Sequence, residues 1–209
     1  MSKKIVLTAV ASALVLAGCA GQYGPMSDLD RMTQDVVKVG FQEKGIAKLD
    51  RLNQDDINIV CSAAEMAGKD LDAATRKRVE DANMKTIKFP ADGKFIGDWK
   101  SGEKIAQGGR GMTYSDKAGD ANGGNCYNCH QISKAEISYG TLGPSLYQYG
   151  KLRGDGDAVI KYTWGKLYNA KAYNACTNMP RFGHAGILTE AQMKDLMALL
   201  LDPNSPVNK

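Results

Sequence analysis

The sequence predicts a mostly α-helical protein, and two observations support this fold class. In several segments apolar residues recur three and four positions apart, which places them on one face of a helix. No segment of useful length alternates apolar and polar residues as a half-buried strand does. The 209 residues, 43% hydrophobic and 24% charged, suit a globular chain with one domain and an appendage, or with two small domains.

The first residues predict export from the cytoplasm. Lys3 and Lys4 precede a continuous apolar stretch over residues 5–17, which is too short to span a bilayer and is typical of a secretory signal. Apart from these two lysines, the formal net charge of +4 includes no dense basic run, so the sequence gives no reason to expect a nucleic-acid partner.

The signal segment ends in LAGC, which resembles the lipobox of bacterial lipoproteins. We therefore expect a signal peptide over residues 1–18 and acylation of Cys19, whose lipid would attach the protein to a membrane. An ordinary cleavage site with an incidental cysteine is the alternative. Residues 19–27 are small and turn-rich, and we interpret them as a tether.

Residues 28–89 are predicted to form a helical extension. A first helix begins near Asp28. A second helix follows Asn53 as its N-cap, and a third, weaker one runs from about Asp72 to Lys85. The apolar face of the first helix consists of Leu29, Met32, Val36 and Val39. No motif with chemical function is visible in this extension.

Residues 90–209 form the second predicted region. Its approach to Cys126 is rich in glycine and is expected to be loop, and a helix is expected from Asp157 to about Tyr168. The clearest helix follows a capping box of Thr189 and Gln192 and ends at Asp202 and Pro203, and Met193, Leu196, Met197 and Leu200 form its apolar face.

Residues 126–130 read CYNCH and match C-x-x-C-H, the attachment site of c-type haem. Cys126 and Cys129 can form thioether bonds to the two vinyl groups of the porphyrin, and the adjacent His130 can then bind the iron on the proximal side. Because the motif occurs once, the sequence predicts one covalently bound haem c.

Two other interpretations of the paired cysteines are weaker. A zinc site would need a second pair of ligands at a suitable spacing, and the chain offers only His184 and isolated cysteines. A thioredoxin-like dithiol would follow a strand and open a helix, whereas here a loop with Gly123 and Gly124 precedes the cysteines.

The second axial ligand has to come from another part of the chain. Met179 lies in the segment NMPRFG, 49 residues after His130, where a proline and a glycine favour a rigid loop. His184 in the same loop is the alternative ligand, whereas Met193 and Met197 are better explained as core residues. We expect Met179, whose thioether would favour ferrous iron and raise the reduction potential.

Two cysteines, Cys61 and Cys176, are not used by the lipobox or the haem motif. Outside the cytoplasm they are expected to oxidise to a disulfide. Such a bridge would contribute on the order of 5 kcal/mol in the chain-entropy model, and it would join the extension to a point three residues before Met179. Two separate buried thiols, or a Cys176 thiolate bound to iron, are the alternatives.

Five blocks resemble the SoxX family, the monohaem subunits of the SoxAX cytochromes of bacterial sulfur oxidation. They read ADGKFIGDWKSGEKIAQGGRG, GGNCYNCHQI, EISYGTLGPSLYQYGKLRG, YTWGKLYNAKAYNACTNMPRFG and LTEAQMKDLMALLLDP. They span about residues 90–203 and follow the order of the family. The resemblance implies a class I cytochrome c fold over residues 90–209, with an N-terminal helical extension that short family members lack.

The resemblance also implies roles for individual residues. Cys126 and Cys129 would hold the haem, with His130 proximal and Met179 distal. Pro144 would accept a hydrogen bond from the proximal histidine through its backbone carbonyl.

The function implied by the resemblance is an electron relay inside an L-cysteine S-thiosulfotransferase of the periplasm. Thiosulfate is joined oxidatively to a cysteine of the carrier protein SoxY, and the catalytic haem belongs to the SoxA partner. SoxX accepts the electrons and passes them to a soluble cytochrome c or another acceptor. A free-standing, lipid-anchored electron shuttle is the alternative, and a haem-based sensor would need an iron position that Met179 is expected to fill.

Overall fold

The structure, a computed structural model, describes residues 27–209. The predicted signal peptide and the predicted tether up to residue 26, with Cys19, lie outside the described residues. Within the described part the chain forms helices and loops without a β-strand, and an isolated antiparallel bridge joins Lys44 and Ala47. The prediction of a mostly α fold is confirmed. None of the helices within residues 27–209 has the length and apolar character needed to cross a membrane.

The described helices fall into two classes. The α-helices are α1 (Asp28–Gly40), α2 (Asp56–Met66), α3 (Ala73–Met84), α4 (Trp99–Gln107), α5 (Tyr149–Arg153), α6 (Asp157–Tyr168) and α7 (Glu190–Leu201). Short 3₁₀ helices occupy Leu49–Leu52, Cys126–Asn128, Ala170–Ala172 and Pro206–Asn208.

Helix α1 belongs to a compact unit that ends at Gln42. Its N-cap is Ser27, whose hydroxyl accepts a hydrogen bond from the N–H of Asp30 while the Asp30 carboxylate accepts one from the N–H of Ser27. This reciprocal capping explains why the helix begins where the sequence predicts. The apolar residues predicted to share one face are all exposed, namely Leu29, Met32, Val36 and Val39.

Residues 43–209 form the other compact unit, to which α2 and α3 belong. Asp55 caps α2 by accepting a hydrogen bond of 2.8 Å from the N–H of Asn58, and Asp72 caps α3 in the same way. The prediction that Asn53 caps α2 is wrong. Asn53 ends the preceding 3₁₀ helix, and Asp55 is the residue directly before the first helical position.

Helix α4 lies in a stretch for which the sequence predicts no helix, just before the glycine-rich approach to Cys126. Its N-cap is Asp98, and it packs along α7. Gly102 makes this packing possible, because a Cβ atom at that position would lie 2.2 Å from the backbone oxygen of Asp195. Glycine lowers intrinsic helix propensity, so the residue that permits the tertiary contact also weakens the local signal for the helix.

Helices α6 and α7 have the predicted bounds. The side chain of Thr189 accepts a hydrogen bond from the N–H of Gln192 and completes the predicted capping box. Met193 and Met197 are 2% and 0% exposed, so their prediction as core residues is confirmed.

The hydrophobic core lies between α4, α6 and α7 and the segment that follows the CYNCH motif. Its least exposed apolar members are Ala106, Ile132, Trp164, Met197, Leu199 and Val207. Burying a large apolar side chain contributes about 1.5–3 kcal/mol relative to exposure. Ile132 comes two residues after His130, so the core fixes the chain immediately beyond the motif.

Candidate haem-binding site

The CYNCH motif forms one turn of 3₁₀ helix, Cys126–Asn128. The N–H groups of Cys129 and His130 both donate to the carbonyl of Cys126, at 3.1 and 2.9 Å. Asn125, directly before the turn, has a left-handed φ of 50°, a conformation that asparagine tolerates better than most residues. Because side chains three positions apart lie on the same side of a 3₁₀ turn, the geometry aligns the two cysteines.

Neither motif thiol takes part in a disulfide. Burial raises the pKa of the Cys126 thiol to about 12. A redox dithiol depends on a thiolate, so this environment of Cys126 does not favour that alternative. Within residues 27–209 no group of three or more His, Cys, Asp or Glu side chains is arranged to hold a metal ion.

The ring of His130 is held in one orientation by Pro144 and Gly143. Nδ1 of His130 donates to the backbone oxygen of Pro144 over 2.7 Å, which leaves Nε2 as the nitrogen that can bind iron. Gly143 lies against the same ring, and a Cβ atom there would come within 2.1 Å of Cε1 of His130. Gly143 also donates its N–H to the carbonyl of Cys129 over 2.8 Å.

Gly143 is a functional residue that sequence reasoning missed. It lies in the segment GTLGPSL of the third SoxX-like block, but a glycine beside a proline indicates only a turn. Its role depends on the position of a histidine thirteen residues earlier, which only the folded chain reveals.

The motif is also tied to α4 through Tyr127 and Glu103. The hydroxyl of the buried Tyr127 donates to Oε1 of Glu103 over 3.0 Å. The other carboxylate oxygen of Glu103 is buried without a hydrogen-bond partner, and burial raises the pKa of this carboxyl above its ordinary value. The contact couples the position of the motif to a helix that the sequence did not predict.

Met179, the expected distal ligand, lies in residues 175–181, which we call the ligand segment. Met179 is half-buried and packs against the hydrophobic core. Its backbone N–H donates to Oγ1 of Thr177 over 3.1 Å. His184, the alternative ligand, is exposed. Of the two candidate ligands, Met179 is therefore the less exposed to water.

Cys61 and Cys176 form a disulfide with a Cα–Cα distance of 5.4 Å. The two cysteines are thus neither separate thiols nor free to supply an iron ligand. The bridge connects α2 to the ligand segment, three residues before Met179.

A second attachment of α2 involves Asp55 and Arg181. The guanidinium of Arg181 forms an ion pair with the Asp55 carboxylate, and the two side chains are 21% and 37% exposed. Partial burial opposes ionisation of Asp55, but the hydrogen bonds from Asn58 N–H and from Arg181 outweigh it and lower the pKa of this carboxyl. No local sequence pattern indicates this pair, because its members are 126 positions apart.

These residues fit a covalently bound haem. The motif supplies two thiols for thioether bonds and an imidazole whose orientation is fixed by Pro144. Met179 could supply a thioether sulfur on the other side of the iron.

Comparison with known proteins agrees with this site. Residues 116–202 match the family model for cytochrome c. An uncharacterized lipoprotein of Aquifex aeolicus (strain VF5) is 40% identical to this chain over 126 residues, which cover 59% of the chain and 59% of that relative.

The chain therefore carries a cytochrome c domain, and its cofactor is haem c with iron, bound covalently. The domain supports a role in electron transfer. The matched range contains Pro144, Met179 and the whole CYNCH motif, whereas α2, α3 and α4 lie before it.

Proposed function

We propose that the protein is the electron-accepting monohaem subunit of a SoxAX-type L-cysteine S-thiosulfotransferase. The observation that carries this proposal is the set of five SoxX-like blocks, which occur in family order from residue 90 to residue 203. The geometry around His130 supports it, because the block GTLGPSL supplies both the glycine and the proline that hold the ring.

In this proposal Cys126 and Cys129 attach the porphyrin, and His130 and Met179 bind the iron. Bound haem would take up and release one electron at a time. Pro144 accepts a hydrogen bond from Nδ1 of His130, which leaves Nε2 as the nitrogen that would bind the iron. A methionine sulfur on the distal side would stabilise ferrous iron and so favour electron uptake.

The reaction proposed for the complex, oxidative joining of thiosulfate to SoxY, determines how many electrons this subunit must accept. A bond forms between the sulfur of a SoxY cysteine and the outer sulfur of thiosulfate, and one proton from the thiol and two electrons are released. Catalysis would take place on the SoxA partner. Since this chain has one haem motif, its residues serve two successive one-electron transfers, or share the pair with SoxA.

Two exposed apolar side chains near the motif support a permanent partner. Ile137 and Leu142 are 92% and 82% exposed on the loop between His130 and Pro144. The loop is bound to the motif, because Gly140 donates its N–H to the carbonyl of Tyr127 over 2.8 Å. A partner that covers this loop would bury both side chains, and the SoxA subunit is the partner proposed here.

We also propose a lipid anchor at Cys19, on the periplasmic side of a membrane. The lipobox-like LAGC supports this assignment, as does the name of the Aquifex relative, an uncharacterized lipoprotein. Mass spectrometry of the mature N-terminus is expected to find an acylated Cys19, and Cys19→Ser is expected to abolish acylation. An unmodified N-terminus in the native protein would remove the anchor from the proposal.

The deciding experiment is purification of the native protein from membranes under mild conditions. A second haem-containing polypeptide is expected to remain bound, and thiosulfate with the SoxY carrier is expected to reduce the haem of the complex. If the protein purifies alone and is reduced only by other redox proteins, the free-standing shuttle becomes the better function.

A further inference from the structure

Helix α2 and its N-cap residue are attached to the ligand segment on both sides of Met179. Before Met179, the disulfide joins Cys176 to Cys61 on α2. After Met179, Arg181 pairs with Asp55, the N-cap residue of the same helix. One helix thus holds both ends of a short stretch that contains the candidate ligand.

Helix α3 adds a third attachment at the start of the segment. The backbone N–H of Ala175 donates to Oε1 of Glu80 over 3.2 Å. The carbonyl of Ala175 accepts a hydrogen bond of 3.3 Å from Nζ of Lys171, a lysine that is only 6% exposed. Backbone polar groups that have such partners are costly to displace, so the segment is fixed before it reaches Met179.

Two attachments restrain more than one. A chain tied only at Cys176 can still swing about that point, whereas a chain also tied at Arg181 has both flanks of Met179 fixed. Ordering these residues costs conformational entropy. Because the attachments to α2 order the segment when the protein folds, this entropy is not lost again when a ligand bond forms.

The charge of Asp55 is central to the second attachment. Its carboxylate lies among cationic side chains of the other elements, since Arg181 contacts it directly and Lys171 and His184 lie near enough to interact electrostatically. Without the charge of Asp55, the repulsion between the cationic side chains of Arg181 and Lys171 would no longer be offset by a carboxylate. A partly buried pair of this kind is screened less by solvent than a surface ion pair.

We propose that Asp55 and Cys61 are positioning residues for the distal iron ligand, acting through Arg181 and Cys176 to hold the ligand segment so that Met179 stays on the iron. This inference rests on the proposed function only in its assignment of Met179 as the ligand. It gives α2, which lies outside the matched cytochrome c range, a role in the redox site.

The test uses imidazole as a competing ligand of the ferric protein. Imidazole binds only when the methionine leaves the iron, so its apparent affinity reports how firmly the ligand segment is held. Asp55→Asn removes the charge, yet asparagine is as good an N-cap residue as aspartate, so α2 keeps its start. We expect imidazole to bind roughly tenfold more tightly, given the size of hydrogen bonds to charged groups.

Two further variants distinguish loss of the Asp55–Arg181 ion pair from a general destabilisation of α2. Asp56→Asn removes an exposed charge from the neighbouring position of α2 and is expected to leave imidazole affinity unchanged. Arg181→Gln is expected to match Asp55→Asn, and the double variant should show no further increase, because both changes remove one interaction. Cys61→Ser removes the other attachment of the ligand segment. If this variant does not accumulate as folded protein, the Asp55 and Arg181 variants still test the positioning role.

The outcomes also distinguish this inference from the ligand assignment. If Met179→Ala leaves imidazole affinity unchanged, Met179 is not the ligand and both fail. If Met179→Ala raises the affinity strongly while Asp55→Asn and Arg181→Gln do not, the ligand assignment stands and the positioning role is overturned. Equal effects of Asp55→Asn and Asp56→Asn would also overturn it.

Discussion

The proximal segment around His130 and the ligand segment around Met179 are held in different ways. On the proximal side the main hydrogen bonds join residues that are close in sequence, such as Gly143 N–H to the carbonyl of Cys129 and Nδ1 of His130 to the carbonyl of Pro144. On the ligand segment the disulfide spans 115 positions and the Asp55 ion pair spans 126.

This difference suggests different roles for the two segments. The segment around His130 serves to attach the cofactor, whereas the ligand segment serves to adjust its properties. Apart from the hydrogen bond of Tyr127 to Glu103, the proximal hydrogen bonds described above are accepted by backbone carbonyls of nearby residues, and Gly143 packs against the ring of His130. They therefore tolerate few substitutions but need little of the remaining chain. The ligand segment depends on side chains of α2 and α3, so its position can change without loss of the motif. Variants on the proximal side are therefore expected to abolish the site, and variants around the ligand segment to adjust it.

The largest effect is expected from Cys126→Ser combined with Cys129→Ser. Both thioether positions are then lost, and covalent attachment of haem is abolished, whereas each single change only weakens it. Haem staining after denaturing electrophoresis measures this, with Cys61→Ser as a control that keeps covalent haem. Haem retained by the double variant would show that the attachment site is elsewhere.

Gly143→Ala is expected to be the next most severe change. The added methyl group would meet Cε1 of His130 at 2.1 Å, so the ring must move away from its hydrogen bond with Pro144. We expect lower haem incorporation and an altered ferric spectrum. Gly40→Ala is the matched control, because a Cβ atom there meets nothing within 4 Å. Normal incorporation and spectrum in Gly143→Ala would contradict the proposed role of this glycine.

Cys61→Ser is expected to lower the free energy of unfolding by about 3–5 kcal/mol, since the disulfide closes a long loop. It should also weaken the long-wavelength absorption band of ferric haem bound to a methionine sulfur, while covalent haem remains. Denaturant unfolding and absorption spectra of the same samples measure the two effects. A destabilised protein with an unchanged band would keep the disulfide as a structural bond and remove its influence on Met179.

Met179→His is expected to preserve six-coordinate haem and to lower the reduction potential, because imidazole stabilises ferric iron better than a thioether does. Redox titration measures this shift. Met66→Leu, at an exposed methionine, serves as the control and should leave the potential as it is. An unchanged potential in Met179→His would indicate another ligand.

The smallest effect is expected from Glu103→Gln. Because burial raises the pKa of Glu103 in the folded protein above its ordinary 4.5, the folded state binds the proton more tightly than the unfolded state. Stability of the native protein therefore falls as the pH rises from that ordinary value through the folded pKa. Unfolding measured from about pH 4 to about pH 8 should show a flatter profile for Glu103→Gln, whereas Glu65→Gln, at an exposed carboxyl, should keep the native profile. Parallel profiles for Glu103→Gln and the native protein would reject the raised pKa.

The sequence by itself determined the features that depend on neighbours along the chain. The motif of Cys126, Cys129 and His130 carries the attachment chemistry in five consecutive residues, and the period of apolar residues and the capping box of Thr189 located α7. Such signals are local, since capping and helical periodicity act over three or four residues.

Only the tertiary structure decided which distant residues meet. Helix α4 depends on the fit of Gly102 against α7, and Gly143 depends on the ring of His130. The pairing of Asp55 with Arg181 becomes visible only once α2 lies beside the ligand segment. These contacts follow from packing between segments that are separated along the chain. A linear pattern of residue types does not encode which charge or which glycine will face which partner once those segments pack together.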